Sequence, residues 1–276
     1  MSRICVVTGA NSGIGFEASR QLAERGATVV MVCRNPERGE AAWASVGGGS
    51  HLLIADMGDL DAVRTLGAEI VERFEAVDVL INNAAVFDLA VDEPVLTAQG
   101  HEQVWAVNYV GPFLLTHLLR ERLAAVNGRL ITISSQGLVA KPGLTLDFDD
   151  LDSRGDFDTT KAYYRSKLAQ CAFAISVHER DFGVVSNAVR VTNVAVPDDR
   201  LPKLGSFQMW MYKQKRRFAI TPAEMAETYV WLALDASIDG EYVDHKRKSV
   251  SWPKRVRNRD LRDRLWDATM QQMGAS

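Results

Sequence analysis

Ile4-Cys5-Val6-Val7-Thr8-Gly9-Ala10-Asn11-Ser12-Gly13-Ile14-Gly15 is the stretch that decides how the rest of the chain is read. The apolar run at 4–7 predicts a buried strand, and residues 16–25 carry the apolar spacing of a helix. A glycine-rich turn between strand and helix can bring backbone N–H groups and a helix N-terminus against a phosphate. No Cβ blocks the approach, and the helix dipole favours negative charge. The glycine spacing is G-x-x-x-G-x-G rather than G-x-G-x-x-G, so the turn by itself also fits an ordinary strand-to-helix connection. Its neighbours have to decide.

Gly26 closes the first helix, and residues 27–33 form a second β-rich run that ends at Arg34. In a βαβ nucleotide fold the residue just past this strand faces the adenosine ribose, where a carboxylate binds the 2′-hydroxyl and an arginine accommodates a 2′-phosphate. Arg34 therefore reads as a selector for NADP(H), or as a solvated surface arginine. A helix over 36–45 and the loop Gly47-Gly48-Gly49 lead to a third strand, 52–55. Asp56 closes it, and could accept a bond from an adenine amino group or cap the helix starting near Asp59. The helix 61–74 precedes a fourth buried strand, 77–81. It ends in Asn82-Asn83-Ala84-Ala85, small enough for close approach of a ligand and equally able to form a turn.

A long helical pattern covers 100–125, interrupted by Asn108 and by Gly111-Pro112. Proline removes a backbone donor and kinks the axis, so Asn108 could face a cavity. The fifth strand, 129–133, runs into Ser134-Ser135. Ligands of an open parallel sheet sit beyond the carboxyl ends of its strands, which places Ser135 on the same edge as the glycine turn, Asp56 and Asn83. Residues 136–160 are rich in Asp and Gly and predict an excursion over the surface. From 160 to 180 the spacing is helical again, and Tyr163 and Lys167, four apart, share one face.

A sixth strand, 184–191, opens into an irregular stretch loaded with Phe207, Met209, Trp210, Met211 and Tyr212. These side chains suit a lid over a bulky apolar molecule, or helical core packing. Thr221-Pro222-Ala223-Glu224 is a capping box starting a helix that runs to about residue 234, and Gly240-Glu241-Tyr242-Val243 suggests a short last strand. The basic stretch 245–264 reads as a nucleic-acid arm or as a solvated tail with ion pairs. The acidic balance of the whole chain and the lack of aromatic interleaving favour the tail.

At 276 residues, 47% of them apolar, the chain fits an α/β domain with a sizeable core. Its net charge of −3 gives no reason to expect nucleic acid or a membrane as partner. Cys5, Cys33 and Cys171 lack the spacing of a zinc site or a redox pair and read as buried thiols in a reducing compartment, so no metal site is expected. No apolar run approaches the roughly 20 residues that span a bilayer, and the pattern that begins at Arg3 leaves no room for a signal peptide. A cytoplasmic protein is the expectation.

Taken together, the glycine turn at 8–15, Asn82-Asn83-Ala84-Ala85, Asn108, Ser135 and Tyr163-x-x-x-Lys167 resemble the short-chain dehydrogenase/reductase family. Val32-Cys33-Arg34-Asn35, Phe148-Asp149-Asp150-Leu151 and Tyr163-Tyr164-Arg165-Ser166-Lys167-Leu168-Ala169 look most like its retinol dehydrogenase and protochlorophyllide reductase branch. The resemblance implies a single-domain Rossmann-type α/β fold over 1–276, a doubly wound parallel sheet with helices on both faces. A substrate lid is expected at about 193–220 and a basic C-terminal extension at about 245–276. By resemblance, Tyr163 is the acid/base, Lys167 holds the nicotinamide ribose, Ser135 binds the substrate oxygen and Asn108 supports a water relay. The implied cofactor residues are Gly9, Asn11, Ser12, Gly13, Ile14, Gly15, Arg34, Asn35, Asp56, Met57, Asn83, Ala84 and Ala85, together with Tyr163 and Lys167.

The expected activity is NADP(H)-dependent hydride transfer to or from a carbonyl or alcohol of a bulky apolar or aromatic small molecule. Reduction of a conjugated C=C bond, a redox-neutral rearrangement and a non-catalytic NADP-binding role are the alternatives. The family often pairs the helices that contain Asn108 and Tyr163 between subunits, and the excursion before Tyr163 could cover that face, so both homodimer and monomer stay open. Two departures stand out. Arg190-Val191-Thr192-Asn193 occupies the place where the family usually has Pro-Gly, and Ala85 stands for the usual glycine.

Overall fold

The computed structural model describes residues 2–155, 157–180, 182–195 and 219–274. Strand and helix alternate through β1 (Ile4–Thr8), α1 (Gly13–Glu24), β2 (Thr28–Cys33), α2 (Pro36–Val46), β3 (His51–Ile54), α3 (Leu60–Arg73) and β4 (Val79–Asn82). A helical run follows, made of α4 (Gln103–Trp105), a π turn (Ala106–Val110), α5 (Gly111–Leu118) and α6 (Arg120–Ala124). Then come β5 (Arg129–Ser135), α7 (Thr159–Glu179), β6 (Val185–Val191), α8 (Pro222–Leu234), β7 (Tyr242–Asp244) and α9 (Arg259–Gln272).

The strands form one sheet in the order β3-β2-β1-β4-β5-β6-β7, and every neighbouring pair is parallel. This is the doubly wound sheet that the sequence predicts. Successive strand residues feed two cores. Val6, Val30, Leu80 and Leu130 pack with Val63, Phe113 and Phe173 on one face. Cys5, Val7, Val29, Met31 and Ile131 pack with Leu22, Met225 and Tyr229 on the other. Burial on both faces is why the strands read as continuous apolar runs rather than alternating ones. Strand order reverses between β1 and β4, and a crevice opens there beyond the strand ends.

Three expectations change. The interruption near Asn108 is a π turn, not a proline kink. Pro112 sits in the first turn of α5, where its missing N–H costs little. The excursion after β5 is not confined to the surface, since Leu146, Leu151, Asp152 and Ser153 are buried. Long-range bonds pull it in: Arg165 of α7 donates to Ser153 Oγ at 2.8 Å, and Asp152 accepts from Glu102 N at 3.2 Å and Gln272 Nε2 at 3.2 Å.

The basic stretch keeps the solvated, ion-paired cations expected of it, with Lys246, Lys248, Arg255 and Arg257 exposed and Arg247 and Arg259 paired with Glu227 and Asp263, but its last helix docks on the domain instead of trailing from it. Arg262, 4% exposed, donates to Val256 O at 2.8 Å and pairs with Glu179, while Arg264 lies 4.2 Å above the Phe148 ring. Trp266 of α9 wedges against Phe113 (4.7 Å between centroids) and Phe182 (5.4 Å). Helix α9 thereby covers α5 and α7.

The candidate lid residues Phe207, Met209, Trp210, Met211 and Tyr212 lie outside the described residues. The described ends of that segment pair with each other beside β6, Ala195 N donating to Ile220 O at 2.9 Å and Ile220 N to Asn193 O at 3.1 Å.

Candidate active site

The crevice is built from β1 outward. Thr8, the last residue of β1, accepts on Oγ1 from the N–H groups of Asn83 and Ala84, each at 3.0 Å, which fixes the end of β4 beside the glycine turn. Asn83 Nδ2 returns a bond to Thr8 O at 2.9 Å. Packing this close requires glycine. A Cβ on Gly15 would lie 2.4 Å from Asn83 Nδ2 and 2.5 Å from Gly9 O, and Gly9 also has a positive φ of +66°. Ser12 makes no side-chain cap on α1, so the first-turn N–H groups of that helix stay available at the crevice, as an anion site requires.

A cleft of about 280 Å³ results. It is lined by Gly9, Asn11, Ser12, Ile14 and Gly15 from the turn, Arg34 past β2, Asp56 and Met57 past β3, and Asn83, Ala84 and Ala85 past β4. Two residues proposed for the cradle stand elsewhere. Gly13 opens α1 without lining the cleft, and Asn35 caps α2, its side chain accepting from Arg38 N at 2.9 Å. Asp59 caps α3, which leaves Asp56 Oδ1 to accept from Gly58 N at 2.8 Å beside the cleft. Val32, Ala55, Val86 and Val107 complete the lining. Sequence reading missed them because an apolar side chain looks the same whether it faces a core or a ligand.

Ser135, Tyr163, Lys167 and Asn108 are not among the residues that line this cleft. Asn108 links the two regions. Its Oδ1 accepts from Val86 N at 2.7 Å, and its Nδ2 donates to Val86 O at 3.0 Å and to Ser166 Oγ at 3.1 Å. Ser166 in turn donates to Tyr163 O at 2.7 Å. The Asn108 carbonyl accepts from Gln170 Nε2. Asn108 therefore brackets the loop after β4 to the helix that carries Tyr163.

The Tyr163 phenol is pushed up to about 12, chiefly by burial, with Tyr164 adding and the facing Ser135 side chain opposing. At neutral pH it is a proton-bearing group. Burial lowers Lys167 to about 8, with Cys171 opposing. Its Nζ donates to Ile133 O at 2.9 Å and stands 5.6 Å from the centre of the Tyr163 ring. Ser135 accepts from Gly137 N at 3.2 Å, a bond that leaves its own hydroxyl proton free to donate. Behind them, Ser134 donates to Lys167 O at 3.1 Å and accepts from Cys171 Sγ at 3.1 Å and Tyr242 Oη at 3.3 Å, tying β5 to α7. The sequence gives no hint of Phe87, which stacks on Tyr163 with ring centroids 4.3 Å apart.

A doubly wound parallel sheet with a glycine cradle at its switch point, a serine at the end of β5 and a Tyr/Lys pair on the helix that follows is the architecture of a nicotinamide-dependent oxidoreductase. The sequence profile described as short chain dehydrogenase matches residues 3–145. Human retinol dehydrogenase 12 is 33% identical and human retinol dehydrogenase 11 is 32% identical, each alignment covering 99% of this chain and 86% of the relative. Among solved structures, an uncharacterized protein from Mycobacterium paratuberculosis superposes with a TM-score of 0.77 at 27% identity, covering 99% of this chain and 93% of that one. A short chain dehydrogenase/reductase family protein gives a TM-score of 0.65 at 25% identity, with 88% and 96% covered. The chain belongs to the short-chain dehydrogenase family.

Proposed function

We propose that the protein is an NADP(H)-dependent oxidoreductase acting on a carbonyl or alcohol of a bulky apolar or aromatic small molecule. The observation that carries this reading is the company Arg34 keeps. It is exposed, has no hydrogen-bond or ion-pair partner among the described residues, and lines the same cleft as the glycine cradle, where it suits a 2′-phosphate. When bound, NADP(H) supplies or accepts the hydride. The chain's own groups manage the oxygen: Tyr163 delivers a proton to it in reduction and removes one in oxidation, and Ser135 donates a hydrogen bond that strengthens as negative charge develops there. Lys167, a buried cation beside the phenol, favours the phenolate that oxidation requires. Incubation with NADPH deuterated at the transferable position and an aromatic enone is expected to place deuterium on the carbinol carbon. Label on an alkene-derived carbon, or no transfer to any carbonyl across a broad panel with NADPH binding intact, would replace this reading by one of its alternatives.

Helix α9 supports a monomer. Tyr109 Oη lies 3.0 Å from Thr269 Oγ1, and Trp105 Nε1 donates to Gln272 Oε1 at 3.1 Å, so the side of the helices through which a second copy would pack is already covered. Sedimentation velocity at micromolar concentration is expected to give a single 30.5 kDa species. Among the described residues no helix is long and apolar enough to cross a membrane, and the three free, buried cysteines suit the reducing, cytoplasmic setting proposed for the chain.

A further inference from the structure

We propose that Phe87 is a specificity-determining residue: its ring is a preset apolar wall against which a flat, conjugated carbonyl compound lies while its oxygen meets Ser135 and Tyr163. The inference rests on the carbonyl reading above and names the substrate class for that same site.

Phe87 stacks on the Tyr163 ring at 4.3 Å with an interplanar angle of 27°, yet it is 45% exposed. The core aromatics Trp105, Tyr109, Phe113 and Phe173 are all buried to within 2%, so Phe87 is not one of them. An exposed ring on a loop ordinarily keeps its rotamer freedom and its segment's mobility. Here the backbone on both sides is fastened to buried groups. Val86, immediately before it, is held through both N–H and C=O by the fully buried Asn108. Asp88, immediately after it, offers its carbonyl to Thr159 Oγ1 at 3.0 Å, and Thr159 is the first residue of the helix that carries Tyr163. Two anchors on the catalytic scaffold thus aim one half-exposed ring at one phenol.

That arrangement suits a contact surface for a ligand rather than core packing. Leu89 on the same loop is 44% exposed, and Val139, in the turn that follows Ser135, is 66% exposed, so both loops flanking the phenol present apolar side chains outward. With one face taken by Tyr163, the half-exposed ring offers its edge beside the phenol, and an edge-to-face contact rewards a planar π-system while offering a short aliphatic chain much less. Preorganisation matters too, because little ordering entropy is lost when the ligand arrives.

The test compares the wild type with Phe87→Ala and Phe87→Leu in two ways. Binding of 2-acetylnaphthalene to the NADP+-loaded protein, measured calorimetrically, needs no turnover. An about tenfold weaker affinity in Phe87→Ala, with Phe87→Leu in between, is expected. The second measurement is the kcat/KM ratio of 2-acetylnaphthalene to butanal with NADPH, which is expected to fall about tenfold in Phe87→Ala. Unchanged affinity in Phe87→Ala, an unchanged ratio, or no binding by the wild type overturns the proposal and leaves Phe87 as a shield for the phenol. A wild type that binds the ketone in a Phe87-dependent way but transfers no hydride overturns the carbonyl reading and upholds the wall.

Discussion

On the β2 side of the crevice, groups that face the cleft keep free valences, whereas on the β5 side Asn108 and Ser134, which hold the helix of Tyr163 and Lys167, have theirs filled by protein partners. Ser12 leaves α1 uncapped and Arg34 has no partner among the described residues. Asn108, by contrast, has its side-chain oxygen, both donors of its amide and its carbonyl engaged, and Ser134 holds three partners around Lys167. Open donors suit a region that must capture a charged ligand, and closed networks suit one that must hold reacting groups still. A substitution on the first side should therefore change binding, and one on the second should change rate.

The sharpest break in that comparison comes from Tyr163→Phe. The variant keeps the ring that stacks on Phe87 and loses only the hydroxyl, so fold and NADPH affinity are expected to persist while kcat falls about 1000-fold. Single-turnover hydride transfer together with NADPH fluorescence titration measures both. A comparable loss of NADPH affinity would show that the closed side also does the capturing.

Arg34→Ala tests the open side. Removing a charge-assisted bond of about 2 kcal/mol should lower kcat/KM with NADPH about thirtyfold and leave NADH nearly untouched. Equal losses with both cofactors would make Arg34 a structural residue and undo the NADP(H) assignment.

The same contrast explains what could be read from the chain. Gly9, Gly15 and Thr8 belong to one strand-turn-helix unit whose spacing is local, and Asn83 follows a strand whose apolar run is unmistakable, so the cradle was legible. Tyr163 and Lys167 were legible because helical spacing alone puts them on one face. The closing contacts were not. Phe87 on Tyr163, Gln170 on Asn108, Asp152 on Gln272 and Trp266 on Phe113 join residues 62 to 153 positions apart, and no period in the sequence marks such pairs. Asn35 was misplaced for the opposite reason. Its position beside Arg34 is right for a ribose, but Pro36 starts a helix there and the side chain is drawn into capping it.

Proton chemistry on the closed side gives the third expectation. Tyr163, raised to about 12 by burial, is almost wholly protonated at neutral pH, so the acid needed for reduction is already present and the base needed for oxidation is scarce. Reductive kcat/KM should stay within about twofold between pH 6 and 7.5, whereas oxidative kcat/KM should rise about tenfold per pH unit. The window stops short of about 8, where Lys167 has lost half its charge. A flat oxidative profile would mean that another group takes the proton from the alcohol.

The smallest effect is expected one residue from one of the largest. Asn35→Ala removes the cap of α2 and should cost about 1 kcal/mol of stability, read as a lowered midpoint in urea. Its NADPH to NADH preference should move less than about twofold, because a cap satisfies the helix and offers the cofactor nothing. Arg34→Ala should show the reverse pattern, with preference collapsing and the urea midpoint nearly unchanged, since an exposed side chain without protein partners contributes little to folding. If the two variants shifted preference together, the capture surface would extend into α2, and the division between open and closed polar groups would have to be drawn beyond Arg38 rather than between Arg34 and Asn35.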